Sequence, residues 1–290
     1  MQSRAAALRV RLETGRSLAM PGVFDALSAR LAARAGFEVA FLSGYGMSAT
    51  QLGEPDFGLL TASEVVATAS RAAAAVEIPI VVDADTGYGN AVNVMRTVRD
   101  LIGAGAAGIF LEDQVWPKRC GHMQGKRVIP MDEQVGKLRA AVEARGSDQL
   151  LIVARTDARQ AVGLDDAIAR ARAYREAGAD ALFVEAPVSV DELREIGRRL
   201  PPPLVANMVE GGATPDLSAE ELAALGFQWI VYPVAGLFAA THAMQTVYGR
   251  LCADGHTRAV RDRQVGFADM NALLGLDAKY ALDRKFGAGS

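Results

Sequence analysis

The chain has 290 residues, half of them hydrophobic, with 31 Lys and Arg against 34 Asp and Glu. That length suits one large α/β domain, and a net charge of −3 gives no sign of the basic face that a nucleic-acid partner needs. Two cysteines exclude a disulfide framework and fit a reducing cytoplasm, and no apolar run approaches the roughly 18 residues of a membrane span.

The opening MQSRAAALRVRLETGRS scatters its charges and predicts a short amphipathic helix, not a secretory signal. Apolar runs then alternate with helical patterns. Strands are expected over residues 18–22, 39–43, 78–85, 107–113, 150–157, 181–186, 204–208 and 229–233. These runs are rich in Val, Ile, Leu and Ala and do not alternate with polar residues, as strands buried on both faces should read. Helices are expected over 26–35, 62–76, 91–104, 131–145, 164–177, 190–199 and 219–225, several closed by a glycine just before the next strand.

Eight strands with recurring short αβ loops predict an α/β fold, a (β/α)₈ barrel, as a single domain over 1–290. Residues from about 236 to 290 exceed one barrel helix and predict a helical extension for oligomer contacts. The alternative is an open doubly wound sheet. Its support is Gly44-Tyr45-Gly46-Met47-Ser48-Ala49 after a strand, a partial dinucleotide fingerprint without the acid about 20 residues on.

A barrel keeps its chemistry at the carboxyl ends of its strands. Those ends read Ser43-Gly-Tyr-Gly46, Asp83-Ala-Asp85, Glu112-Asp113, Arg155-Thr-Asp157, Glu185 and Asn207. Asp83 and Asp85, two apart on an expected strand, should face the same way. With Glu112 they form an all-oxygen cluster suited to Mg²⁺ or Mn²⁺; the bland alternative is a helix cap or barrel salt bridge. Asp113 and Asp157 read as loop supports. Arg155 can grip a carboxylate in two-pronged fashion or bridge to Glu185 or Glu112. The Ser43–Gly46 segment reads as a turn whose N–H groups can hold an oxyanion.

After the fourth strand, residues 117–126 place Lys118, Arg119, Cys120 and His122 in one loop, expected to be flexible. Neighbouring cations should lower the Cys120 pKa and make it a useful proton donor or nucleophile. Three histidines and the lack of a second Cys/His cluster argue against a zinc site. Cys252 reads as packing in a helical stretch.

The runs VVDADTGYGN at 81–90, KRCGHMQGK at 118–126, ARTDA at 154–158 and NMVEGGATP at 207–215 together resemble the isocitrate lyase/phosphoenolpyruvate mutase superfamily, from about residue 18 to 250. The resemblance implies a (β/α)₈ barrel with its last helix swapped between subunits of a homotetramer. It implies Mg²⁺ on Asp85, with Asp56, Asp83 and Glu112 reaching it mainly through water. It implies that Ser43, Gly44, Arg155 and Asn207 orient a small 2-oxo or 2-hydroxy acid, with Tyr45, Arg119 and Gly121 beside it. Cys120 would protonate the enolate-like carboxylate left by C–C cleavage, accompanied by Lys118, Arg119 and His122, while Glu185 holds the site together.

The Cys-Gly-His loop points to the lyases of the superfamily over its mutases. Methylisocitrate lyases typically carry a Ser and an Arg where this chain has Ala235 and Phe238. That difference favours a dicarboxylate such as a 2-alkylmalate over a tricarboxylate. The alternatives are a phosphonomutase, an oxaloacetate-cleaving enzyme and a non-catalytic 2-oxo acid binder.

Overall fold

The computed structural model describes residues 3–287. Eight parallel strands close into a barrel in sequence order: β1 Leu18–Val23, β2 Ala40–Leu42, β3 Ile80–Asp83, β4 Gly108–Glu112, β5 Leu151–Thr156, β6 Ala181–Val184, β7 Leu204–Asn207 and β8 Trp229–Tyr232. Every expected strand is present, trimmed by a residue or more at most ends. The closed barrel removes the open-sheet alternative, since β1 pairs with both β2 and β8.

Helices α1 Arg4–Glu13, α2 Ala26–Arg34, α3 Gly44–Gln51, α4 Ala62–Ala75, α5 Ala91–Gly103, α6 Met131–Arg145, α7 Ala158–Ala161, α8 Leu164–Glu176, α9 Val190–Arg199 and α10 Ala219–Ala224 surround it. Two of these, α3 and α7, follow strands directly where loops were expected. The expected N-terminal helix is α1; residues 1 and 2 lie outside the described residues. Side-chain caps set several starts: Thr61 and Glu64 form a capping box on α4, and Asn90 and Asn93 do so on α5.

The core has two layers. One lies between strands and helices. The other fills the barrel and includes Met20, Phe41, Val81, Phe110, Val153, Phe183, Val205 and Trp229, with Ala5 and Leu8 of α1 closing its amino end. Side chains alternate across a strand, so the residue two beyond each filler also faces inward. Phe41 leads to Ser43, Val81 to Asp83, Phe110 to Glu112, Val153 to Arg155, Phe183 to Glu185 and Val205 to Asn207. Strands β1 and β8 have no such group. Gly22 ends the inward row of β1, and a Cβ there would lie 2.1 Å from the Pro233 carbonyl oxygen. The barrel seam is closed by backbone instead.

Residues up to Leu237 form one compact unit and residues from Phe238 onward a second. A long helix, α11 Ala235–Asp254, begins in the first unit. The second contains a 3₁₀ turn at Arg258–Arg263, α12 Phe267–Leu274 and α13 Leu276–Phe286, the last two joined at Gly275, whose φ is +77°. Its side chains are largely exposed, among them Tyr248, Leu251, Val265, Phe267 and Phe286. Cys252 is exposed on α11, so it is not a packing residue within this chain. Among the described residues, no helix is long and apolar enough to cross a membrane.

Candidate active site

The floor of the mouth is aromatic. Phe41 and Phe110 stack with ring centroids 4.9 Å apart, and Phe110 meets Phe183 edge-on at 5.7 Å. The Arg155 guanidinium lies over the Phe183 ring. Charges on so apolar a base are weakly screened, so each needs a partner.

On one side stand Asp56, Asp83 and Asp85. Strand β3 ends at Asp83, and Asp85 lies beyond it with φ +47°. The expected reason for their convergence, a shared strand face, therefore fails. A left-handed bend turns Asp85 instead, and its N–H donates to Asp83 Oδ1. The expected turn at 43–46 is the start of α3. Ser43 is its N-cap and accepts from the Gly46 N–H. Gly44 is the close approach: a Cβ there would lie 2.8 Å from Asp83 Oδ2 and 3.5 Å from Asp85 Oδ1. Glycine brings the positive end of α3 onto both carboxylates. Tyr45 is half-buried on the same turn.

Lys118 enters this group from the long loop. Its Nζ lies 2.5 Å from Asp56 Oδ1 and 2.7 Å from Asp85 Oδ1, with the side chain 3% exposed. Burial pushes the Asp85 carboxyl up to about 7 against the pull of Lys118, and the Asp83 and Asp56 charges add to the rise. Burial works against the Lys118 charge too, but the surrounding carboxylates hold its pKa well above the ordinary lysine value. Among the described residues no three acidic, His or Cys side chains stand ready to hold a metal ion together. The expected oxygen cluster is thus gathered but divided by an ammonium group. Its donors still fit a hard divalent cation. Glu112 Oε1 is buried without a hydrogen bond, Asp85 Oδ1 meets the Lys118 ammonium, and Asp83 Oδ2 borders the same space as Asp85 Oδ1.

On the other side Arg155 is the hub. It pairs with Asp157 at 2.9 Å, Glu112 at 3.3 Å and Glu185 at 3.4 Å. Both bridges weighed from sequence are present, together with a stronger one to Asp157. Burial raises the Glu112 pKa well above the carboxylate range, although Arg155 opposes it. Burial would raise Glu185 as well, but there Arg155 and His122 prevail and hold it far below the ordinary range. Asn207 Nδ2 donates to both Glu185 oxygens at 3.3 Å. Asp113 acts as a loop support: it accepts from Thr156 Oγ1, the Asp157 N–H and Tyr174.

The loop from Lys118 to Lys126 is anchored, not loose. The Cys120 N–H donates to the Asp56 carbonyl. Gln114 clamps the Arg119 backbone at both N–H and C=O. Lys126, with no exposed side-chain surface, bridges the Gly121 carbonyl and Asp157. Sequence reading passed over Gln114 and Lys126. Lys126 stands inside the informative motif, and its signal was a lysine directly after glycine at the loop's end. His122 Nε2 lies 3.2 Å from Glu185, while its Nδ1 accepts from the Ala213 N–H. That second bond puts the ring proton on Nε2, facing the carboxylate. The Arg119 guanidinium, by contrast, bonds the Gln124 carbonyl and lies over Phe57; it pairs with no carboxylate among the described residues.

Cys120 differs from expectation in its charge state. Burial pushes its thiol up to about 11; the His122 N–H and Arg155 oppose the rise, and Asp56 and Glu185 add to it. The loop cations do not decide the matter because Lys118 is neutralised by carboxylates. Cys120 is a thiol at neutral pH, which suits a proton donor and not a resting nucleophile.

Comparison with known proteins places the chain. The phosphoenolpyruvate phosphomutase family model matches residues 8–251. The chain is 51% identical to the chloroplastic carboxyvinyl-carboxyphosphonate phosphorylmutase of Arabidopsis thaliana, over 92% of this chain and 80% of that one. It is 46% identical to the 2,3-dimethylmalate lyase of Eubacterium barkeri, over 98% and 99%. A crystal structure of 2,3-dimethylmalate lyase superposes with a TM-score of 0.94 at 38% identity, covering 99% and 97%. Phosphonopyruvate hydrolase in complex with oxalate and Mg²⁺ superposes at 0.89 and 31%, covering 98% and 99%. The chain is therefore a member of the phosphoenolpyruvate mutase/isocitrate lyase superfamily.

Proposed function

We propose that this protein is a divalent-metal-dependent carbon–carbon lyase. It splits a 2-hydroxy dicarboxylate of the 2-alkylmalate type into a 2-oxo acid and a carboxylate by a retro-aldol step. The observation that carries the reading is the seating of the Cys120 loop, through Gly121, against the carboxylates and arginine of the mouth. A Cβ on Gly121 would meet Arg155 Nη2 and Glu185 Cδ at 2.5 Å. The loop closes this tightly because the residue after the cysteine is glycine.

Asp85 would hold Mg²⁺ or Mn²⁺, with Asp83, Asp56 and Glu112 completing the surroundings. When bound, the cation supplies positive charge to the substrate's 2-hydroxyl and carboxylate oxygens. Ser43, Gly44, Arg155 and Asn207 orient the 2-oxo acid half, with Tyr45 and Gly121 lining it. In cleavage the 2-hydroxyl gives up its proton to an ionised carboxylate of the mouth, which returns it through solvent to the Cys120 thiolate after the products leave, and its O–H pair becomes part of the new C=O. The C2–C3 pair leaves with the other fragment, which takes the proton of Cys120. Glu185 stays ionised and holds Arg155, His122 and Asn207 in place. The anchored loop excludes water from the carbanionic fragment.

The resemblance to the Arabidopsis phosphorylmutase supports a second reading, phosphoryl migration on the same scaffold. The two readings separate in one screen. Malate analogues with Mg²⁺, and with EDTA as control, should yield a 2-oxo acid. Phosphonopyruvate analogues followed by ³¹P NMR should remain unchanged. A homotetramer of helix-swapped dimers in the cytoplasm completes the proposal. The exposed apolar side chains of the second unit support the assembly, and two unpaired cysteines support the compartment.

A further inference from the structure

We propose that the amino end of the barrel, opposite the mouth, carries a second binding site for a small organic anion. A pocket of about 420 Å³ lies there, lined by Arg9, Leu12 and Gly15 from α1 and its end, and by residues at the amino ends of β5 to β8. Its size falls in the range of small-molecule sites.

The charges in its wall do not balance. Arg175 donates to three carbonyl oxygens, those of Ala179, Asp180 and Pro202, and to no carboxylate among the described residues. The one acid in the lining, Asp180, is already taken. Its Oδ1 accepts from Arg9, and its Oδ2 accepts from Arg145 and the Ile152 N–H. Arg9 and Arg145 thus share the Asp180 carboxylate, and Arg175 adds a third positive charge beside it. Burial lowers the Arg175 pKa against the pull of Asp180, as befits a cation short of counter-charge.

Gln228 adds a neutral donor. It lines the pocket and accepts the Leu204 N–H at Oε1, which keeps Oε1 occupied and the NH₂ group as its donor. Arg9 also donates to the Gln149 and Leu150 carbonyls, so the excess in the wall is one of charge, with two guanidinium groups to one carboxylate in the lining. The complementary ligand brings oxygen acceptors and negative charge, as a phosphate or carboxylate does. Leu12, Leu151, Ala179, Pro202 and Pro203 supply apolar surface beside the guanidinium groups. A ligand with both an anionic head and an apolar body uses both halves. Because α1 forms one wall, such a ligand would also tie α1 to the barrel. This assignment does not rest on the lyase reading, since none of these residues belongs to the mouth.

Titration calorimetry of the full-length protein with phenylphosphate, benzoate and inorganic phosphate tests it. Phenylphosphate or benzoate should bind at one site per chain, more weakly as salt rises. Arg175→Met should weaken binding by at least about tenfold through loss of a charged contact. Leu12→Trp, which fills the pocket and keeps every charge, should weaken it comparably, and it carries the test if Arg175→Met does not fold. Both variants should keep the basal catalytic activity. Absence of binding by both organic anions, or binding unchanged in Leu12→Trp, would overturn the assignment. Inorganic phosphate binding as tightly as phenylphosphate would overturn its organic part.

Discussion

Gly121 rests against the Arg155 guanidinium so closely that a single methyl group would lie 2.5 Å from Nη2. The contact joins the loop that carries Cys120 to the hub of the mouth. Gly121→Ala should therefore displace the loop or Arg155. Since misplacing reacting groups by about 1 Å can cost 10²-fold in rate, turnover should fall by about that factor. Circular dichroism should show the barrel intact, because Gly121 lies outside both core layers.

Lys126 and Asp157 form an ion pair with no exposed side-chain surface on either partner. Lys126→Met leaves Asp157 short of one cation and the Gly121 carbonyl short of a donor. Removing one partner of a buried pair typically costs roughly 3–5 kcal/mol, and Arg155 should keep the loss toward the lower end. Urea unfolding should show it as a lower midpoint at unchanged slope.

Lys118 stands between Asp56 and Asp85 and offsets their repulsion. In Lys118→Met the acidic group has lost its internal cation. The variant should melt at a lower temperature than the parent in EDTA and gain more from added Mg²⁺. Mn²⁺ should bind it more tightly in the absence of substrate. Equal Mn²⁺ affinity in both proteins would show that Lys118 does not compete with the ion.

The Cys120 thiol titrates near 11, above its ordinary value of 9.0. Iodoacetamide should therefore label it slowly at neutral pH and faster as pH approaches 11, with thiolate absorbance rising in parallel. The sign for stability follows by linkage. A folded thiol with a raised pKa contributes fully below pH 9.0, and its contribution is lost as pH rises through about 11. The alanine variant should lack that alkaline loss.

Much of the mouth was legible in the sequence because period-two alternation carries a filled barrel interior into its rim. Ser43, Asp83, Glu112, Arg155, Glu185 and Asn207 follow directly from Phe41, Val81, Phe110, Val153, Phe183 and Val205. Alternation does not encode how Asp85, Asp56 and Lys118, all expected at the site, come together there. Asp85 reaches the site through a left-handed backbone. Lys118 meets Asp56 across 62 residues of chain, a distance no local pattern spans. The Cys120 pKa went the other way because burial and nearby carboxylates outweigh cations that are already paired. The start of α3 looked like a turn because its two glycines are poor helix formers, yet the Ser43 cap and packing against Asp83 hold it.

The role of Cys120 is tested most directly by steady-state cleavage of 2-alkylmalates by Cys120→Ser, with Mn²⁺ affinity measured on the same preparation. Loss of a positioned proton donor predicts a rate about 10²–10⁴-fold below the parent, with ion binding unchanged. Cleavage at the parental rate would contradict the account.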